Sequence, residues 1–445
     1  MDRRKSWYLS TALVAAATAV GGSAAFAAGF ELKEQSAVEQ GAAYAGAGAV
    51  ADDPSSMFYN PASITQLPGV QVSAGVAGIM PNGTLTSGHA TTGALLGYTP
   101  YAGATGTNSG VDAALPNFYI TGQITDQLFA GLAVTSPFGL ATKYPTNSIA
   151  RYYALTTDLR TVNIGPVLAY KIMPQLSVAA GVNIETATAH LSNSVDFGSI
   201  GALHGLGPYG LLPGTADGIA TLKGNDTAVG WNVGAQYEPM PGTRLGLSYR
   251  SAMFHQLTGS VIYSGVPEPL AASFQNASAS AKLPEPASAS FDVAQTFGNW
   301  TALGSLTYTG WSVFQSLQVY SGPNLVTATT EKFKDTLAVS LGADYRVNDQ
   351  WTLRGGTMYD PTPVQNAYRT PRIADNDRIW LSIGATYHPT PNWGLSAAYS
   401  HIFANNSTVN LADAGPGTVN FLKGNLVASY NLSIDIVSVQ ATYKF

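Results

Sequence analysis

The chain contains no cysteine, so neither disulfides nor thiolate metal sites can hold it together. It is also short of charge. Asp, Glu, Lys and Arg make up 11% of its 445 residues, against about 25% in an ordinary soluble domain. With 21 basic and 26 acidic residues the net charge is −5, and no basic patch offers itself to nucleic acid. After the first 27 residues no run approaches the roughly 20 apolar residues of a spanning helix. The six histidines (His89, His190, His204, His255, His388 and His401) are scattered, with neither H-E-x-x-H nor G-x-S-x-G. An enzyme needs a nucleophile or an activated water beside a base, and no such pairing is visible. No metal-ligand cluster or phosphate-cradling loop stands out either, so the chain reads as a non-enzyme without cofactor or metal.

What is present begins with a secretory signal. Arg3, Arg4 and Lys5 precede an apolar and small-residue run from Leu9 to Val20, and Ala25-Phe26-Ala27 supplies a small-x-small cleavage site. Residues 1–27 are expected to be removed, leaving a mature chain that starts at Ala28. Hydrophobic content is an ordinary 45% and glycine reaches 47 residues. Apolar residues are therefore dispersed, and their dispersal has a period of two. In Val229-Gly230-Trp231-Asn232-Val233-Gly234-Ala235-Gln236-Tyr237 every odd position is apolar. Leu337, Val339, Leu341, Ala343 and Tyr345 repeat the pattern, as do Leu176 to Ile184 and Ile379 to Tyr387. Period two gives a strand one apolar face and one polar face.

A soluble sandwich would alternate in the same way. Three features favour a membrane barrel. The runs are about ten residues long, the length of a tilted strand crossing a bilayer. Tyr170, Tyr237, Tyr249, Tyr308, Tyr345, Tyr387, Tyr399 and Tyr443 gather at run ends, and tyrosine prefers the membrane–water interface. Links alternate between tight turns, such as 171–175 and 238–243, and long loops, expected at 191–226 and 261–283. About fourteen such runs lie between Val70 and Phe445, an even number that closes an antiparallel barrel without leaving a strand edge in lipid. The fold class is therefore all-β, a transmembrane antiparallel barrel of about 14 strands over residues 70–445. The last run ends in Val437, Val439, Ala441, Tyr443 and Phe445, a terminal pattern that looks like the signal read by the barrel assembly machinery. Residues 28–69 do not alternate. They are too polar to span lipid and too few for an independent core, so they are expected to form a hatch inside the lumen.

Several segments resemble the FadL/TodX-type outer-membrane transporters of long-chain fatty acids and hydrocarbons. Ala28-Gly29-Phe30-Glu31-Leu32 is similar to the mature start of that family, and Asn60-Pro61-Ala62 to the motif of its hatch. Phe138-Gly139-Leu140-Ala141-Thr142, Gly230-Trp231-Asn232-Val233-Gly234, Tyr249-Arg250-Ser251, Phe333-Lys334-Asp335 and Asp375-Asn376-Asp377-Arg378 follow in family order. The resemblance implies an N-terminal hatch within fourteen strands of an outer membrane, in a Gram-negative bacterium. It also implies passive transport of a hydrophobic molecule (a fatty acid, an alkane or a monoaromatic) that enters from the outer loops and leaves sideways through the wall. The surroundings would be outer-membrane lipid and lipopolysaccharide, and a monomer is expected.

Candidate site residues follow from both readings. Pro137 lacks a ladder N–H and Gly139 tolerates bent backbone, which fits a kink or an ordinary strand end or turn; the resemblance implies a kink in the third strand at Pro137, Phe138 and Gly139. Asn60, Pro61 and Ala62 would sit in the hatch near that opening, though Asn-Pro also makes an ordinary turn. Leu203, Leu206, Leu211, Leu212 and Phe274 make the outer loops unusually apolar, which reads as a capture groove or as loops packed on one another. Phe30 matches the ligand-contacting N-terminus of the family, and Lys334 a basic position able to pair with a carboxylate. One departure matters. Fatty-acid members carry an Arg near the end of the fifth strand, whereas His190-Leu191-Ser192-Asn193-Ser194 has none, which favours neutral hydrocarbons. The alternatives are a general diffusion porin and, of another class, an outer-membrane lipase or protease.

Overall fold

The computed structural model describes residues 29–445; the expected signal peptide lies outside the described residues. From Val70 onward the chain makes fourteen crossings. The first six are β1 (Val70–Thr91), β2 (Ala113–Gln123), β3 (Leu128–Thr135, resuming as Gly139–Lys143), β4 (Thr156–Met173), β5 (Leu176–Asp196) and β6 (Asp217–Met240). Four interrupted crossings follow: β7 (Thr243–Arg250 and Met253–Ser264), β8 (Ala277–Glu285 and Ser288–Phe297), β9 (Trp300–Thr309 and Ser316–Ser321) and β10 (Asn324–Thr330 and Thr336–Arg346). The last are β11 (Trp351–Asp360), β12 (Arg378–Thr390), β13 (Trp393–Ala404 and Ser407–Leu411) and β14 (Asn425–Lys444). Each crossing pairs antiparallel with its sequence neighbours, and β14 returns to β1 from Gln71↔Lys444 to Thr91↔Asn425, which closes the barrel.

Which face is buried decides between barrel and sandwich. On β12 the apolar Ile379, Leu381 and Ile383 are 50%, 51% and 64% exposed, while Arg378, Trp380 and Ser382 are buried. A sandwich would do the reverse. An outward apolar face with an inward polar one is stable only where the surroundings are hydrocarbon. At the end carrying the short turns, Trp300 stacks beside Tyr345, Trp351 beside Tyr387 and Trp393 beside Tyr443, with ring centroids 4.5, 4.6 and 4.9 Å apart. Amphipathic rings at one level mark a membrane–water interface.

The long outer loops differ from expectation. Strand pairing of β5 with β6 continues through Leu191↔Leu222 to Asp196↔Asp217, and β7 runs on to Ser264. Much of the expected loop at 191–226 and 261–283 is therefore strand. Beyond the bilayer both faces of a hairpin can meet water, so the apolar-out pattern ceases while the ladder continues. The connection that remains carries a short helix, Phe197–Leu203.

Residues 29–69 fill the lumen. They contain the helix α1 (Ala37–Gly41), capped by Ser36, and two 3-10 turns, Pro54–Phe58 and Pro61–Gln66, capped by Asp53 and Asn60. The segment is polar because the inward barrel face is polar. Gln40 donates to Ser400 Oγ and the Ile436 carbonyl, Gly46 N–H donates to Ser305 Oγ, Gln440 Oε1 accepts from Ala37 N–H, and Arg354 pairs with Asp52 at 2.5 Å. Close approach needs glycine on the wall. A Cβ on Gly356 would lie 2.1 Å from the Ala42 carbonyl oxygen, and one on Gly234 would lie 2.0 Å from Asn60 Oδ1.

Candidate functional site

Three features meet around the N-terminal strand of the lumen segment: a break in the wall, an apolar cavity and a cationic mouth. The break is in β3. Phe118–Gln123 of β2 pairs with β3 from Val134 down to Phe129. Past Thr135 the ladder to β2 stops, and Gly139–Lys143 pairs with β4; farther along, the isolated bridges Gly110↔Thr142 and Ala104↔Ser148 reconnect the two sides. Pro137 has no N–H to give, and Phe138 turns its own to Thr161 Oγ1 at 3.0 Å. The sequence reading of Pro137, Phe138 and Gly139 as a strand irregularity agrees with this geometry.

The chain's own N-terminal segment covers the gap. Leu32 N–H donates to the Pro137 carbonyl and Gly139 N–H to the Phe30 carbonyl, both at 2.8 Å, so Glu31 and Phe138 form an antiparallel bridge. Gln35 holds Ser136 from both sides, donating to its carbonyl at 2.7 Å and accepting its N–H at 3.1 Å. Phe30, 1% exposed, packs among Phe138, Trp311 and Phe314, with ring centroids 5.9, 4.7 and 5.3 Å away. Farther along, Asn60 locks the segment in place. It accepts from Ala62 N–H and donates to the carbonyls of Gly48 at 2.8 Å and Ala235 at 3.0 Å. Pro61 starts the 3-10 turn, and Ala62 is fully buried.

Outward of Phe30 lies an apolar cavity walled by Leu140, Leu159, Leu191, Leu257 and Leu283. Its two ionisable wall groups outside the strands are Glu331 and Arg372. Arg372 reaches from the loop at 361–377 to the ends of β4 and β5, donating to the Thr156 carbonyl, Thr157 Oγ1 and the Ser192 carbonyl. It also borders an outer pocket with Lys423, Tyr153 and Tyr368. Burial lowers Arg372 to about 10 even though the Glu331 charge opposes that shift. Burial and the Arg372 charge lower Lys423 to about 8. Burial raises Glu331 to about 8 against the attraction of Arg372, so near neutral pH its carboxyl is mostly protonated. Two cations thus face a region without a fixed anion to neutralise them.

Other expectations fall differently. Lys334 is exposed and does not line the cavity. The neighbouring Phe333, by contrast, is buried against Trp311 and Phe314. The pairing role assigned to Lys334 therefore has no geometric support. Leu206, Leu211 and Phe274 belong to a small core with Phe197 and Leu270, while Leu203 and Leu212 are 39% and 51% exposed. None of the five lines the main cavity. Sequence reading missed Arg372, Glu331 and Lys423. It sought an arginine on the fifth strand, and the structure delivers one to Ser192 from a loop whose sequence has no period to announce it.

The sequence profile of the family described as outer membrane protein transport protein (OMPP1/FadL/TodX) matches residues 18–445. The chain belongs to the FadL/TodX family. The long-chain fatty acid transport protein of Escherichia coli O6:H1 is 33% identical to this FadL-family chain over 423 residues, covering 89% of the chain and 92% of that protein. A solved FadL homologue of Pseudomonas aeruginosa superposes with a TM-score of 0.84 at 27% identity, over 94% of this chain and 100% of the homologue. The Pseudomonas putida toluene transporter TodX reaches a TM-score of 0.66 at 18% identity, over 94% and 100% of the two chains, a likeness of fold alone. This FadL/TodX member is an outer-membrane protein of Gram-negative bacteria, within a family of transporters of hydrophobic substrates.

Proposed function

We propose that this protein is a passive, non-enzymatic channel for long-chain fatty acids, with the carboxylate held at the outer end of the apolar cavity by Arg372 and Lys423. The observation that carries this reading is the pairing of an apolar, leucine-walled cavity with Arg372 at its rim, where the same arginine faces a second, outer pocket. A neutral hydrocarbon would gain nothing from two cations. A carboxylate gains charge-assisted hydrogen bonds. The relatives named for long-chain fatty acid transport point the same way. The exposed Leu203 and Leu212 serve as the first contact for an incoming chain.

Release runs sideways through the β3 break, and it requires residues 30–32 to withdraw from Pro137 and Gly139. This route spares an apolar molecule from crossing water or the polar luminal face. A general diffusion porin is disfavoured by a lumen filled with residues 29–69, whose removal at Ala28 from a signal peptide belongs to the same proposal.

The test is displacement of a fluorescent long-chain fatty acid from the detergent-purified barrel. Loss of a charge-assisted contact costs roughly 2 kcal/mol, so Arg372→Gln is expected to weaken fatty-acid binding about 30-fold and to leave alkane competition unchanged. Equal displacement by acids and alkanes, with Arg372→Gln silent, would assign the cavity to neutral hydrocarbons.

A further inference from the structure

Below the apolar cavity, three strands bring together a constellation that no stretch of the sequence announces. Glu185 on β5, His255 on β7 and Glu285 on β8 are all fully buried, and one ligand atom from each lies within 4.8 Å of the others. His255 Nε2 is 3.8 Å from Glu185 Oε1 and 3.7 Å from Glu285 Oε2. None of the six polar atoms of these side chains makes a hydrogen bond. Burying so many unsatisfied polar groups costs several kcal/mol unless something occupies the space between them. The nearby guanidinium of Arg250 does not meet the need, because it donates to Asn183 Oδ1 and to the Phe58 carbonyl.

We propose that Glu185, His255 and Glu285 bind a divalent transition-metal cation of the zinc class. Two donors each about 2.05 Å from a tetrahedral ion stand about 3.4 Å apart, so the observed 3.7 and 3.8 Å need to close by only a few tenths of an ångström. The donor set selects the ion. One imidazole with two carboxylates suits zinc and its neighbours. Calcium takes six to eight oxygens, and no thiolate is present to favour softer metals. The other face of the imidazole supports the assignment: His255 Nδ1 lies 3.3 Å from Asp226 Oδ2 on β6. A carboxylate behind a ligating histidine fixes the tautomer that presents Nε2 to the metal. The three protein ligands leave a fourth position for water.

The place explains why an ion is useful. Strand interruptions at 251–252 in β7 and 286–287 in β8 sit beside the cluster. The β6–β7 ladder also lapses between Asn232↔Arg250 and Asn225↔Thr258. An ion held by β5, β7 and β8 would pin the wall where its backbone ladder is interrupted. His255 is two residues from Leu257, and Glu285 two from Leu283, both in the wall of the cavity, so the ion would also fix the cavity floor.

The experiment strips the full detergent-purified barrel with a chelator and titrates it with zinc against a fluorescent indicator. Cobalt substitution and X-ray absorption at the zinc edge run in parallel. The expected result is one equivalent per barrel, tetrahedral cobalt bands, and a shell of one imidazole with carboxylate oxygens at about 2.0–2.2 Å. His255→Gln and Glu285→Gln should weaken zinc about 100-fold or more, Asp226→Asn about 10–100-fold, and the partly exposed His401→Gln and His388→Gln not at all. The unheated gel mobility of each variant confirms a folded barrel. The absorption measurement on wild type decides the matter even where a variant fails to fold. Folded wild type that takes up no stoichiometric zinc in excess metal, or a zinc shell of several imidazoles, overturns the site. Equal zinc affinity in folded His255→Gln overturns it as well.

Discussion

At the scale of single residues, the rim of the cavity sets a pH dependence. Glu331 is raised to about 8 by burial, so its carboxyl is neutral below that pH and ionised above it. Its ionised form both competes for Arg372 and repels a ligand carboxylate. Fatty-acid affinity is therefore expected to fall as pH rises through about 8, with alkane binding flat over the same range. Lys423, lowered to about 8, loses its charge over the same range, so Glu331→Gln should lessen the fall without abolishing it, which fluorescence displacement at pH 6.5 and 9 would check. Asn60 offers a second expectation. Its side chain caps a 3-10 turn and ties the lumen segment to Gly48 and Ala235. Asn60→Ala should loosen that segment by about 2 kcal/mol, read as faster hydrogen exchange in residues 48–66 with the strands unaffected. The Asn-Pro turn was legible in the sequence because turn chemistry is local. Arg372 was not, because its partners Thr156 and Ser192 are 216 and 180 residues away, and no short-range pattern encodes such a meeting. Lys334 misled because a motif places a residue in the chain without stating which side of the wall it occupies.

At the scale of elements, the break in β3 and residues 30–32 meet in a single isolated bridge. Glu31 and Phe138 are directly opposed and flanked by the hydrogen bonds of their neighbours. Such a pair has its Cα atoms about 4.5 Å apart, within reach of a disulfide. Because the chain has no cysteine of its own, Glu31→Cys/Phe138→Cys can be oxidised without side reactions. The oxidised protein is expected to bind fatty acid yet to lose uptake in whole cells, with uptake restored by reductant. Undiminished uptake by the oxidised form would refute lateral release at this break. Pro137 marked an irregularity, since proline cannot serve a ladder, but an ordinary strand end would carry the same residue, and it was the family resemblance that pointed to a kink. That the N-terminal strand covers it was not readable, because Phe30, Glu31 and Leu32 carry no pattern that names a partner. The outer extensions of β5 to β7 also escaped notice, since period two carries an apolar signature only where one face meets lipid.

At the scale of the whole molecule, the outward face determines stability. Ile383 is 64% exposed and lies between the outer end of β12 and the interfacial Tyr387. Ile383→Arg is expected to cost about 2–4 kcal/mol, measurable by denaturant unfolding in bilayers, whereas a polar change at the luminal Ser382 should cost far less. Barrel class, strand number and the lumen segment were all legible, because low charge, period two and the non-alternating stretch at 28–69 are properties of long runs of sequence. The metal-ligand triad was invisible at this scale for the opposite reason: Glu185, His255 and Glu285 are single residues on separate strands.

Closure also imposes an order on events. The wall is sealed by β14, where Phe445 N–H donates to the Val70 carbonyl, yet the residues it encloses precede β1. A lumen segment still outside when the last residue completes the ring can enter only through the β3 break or the ends of the barrel, so closing the wall turns the filling of the lumen from a sideways docking into a threading.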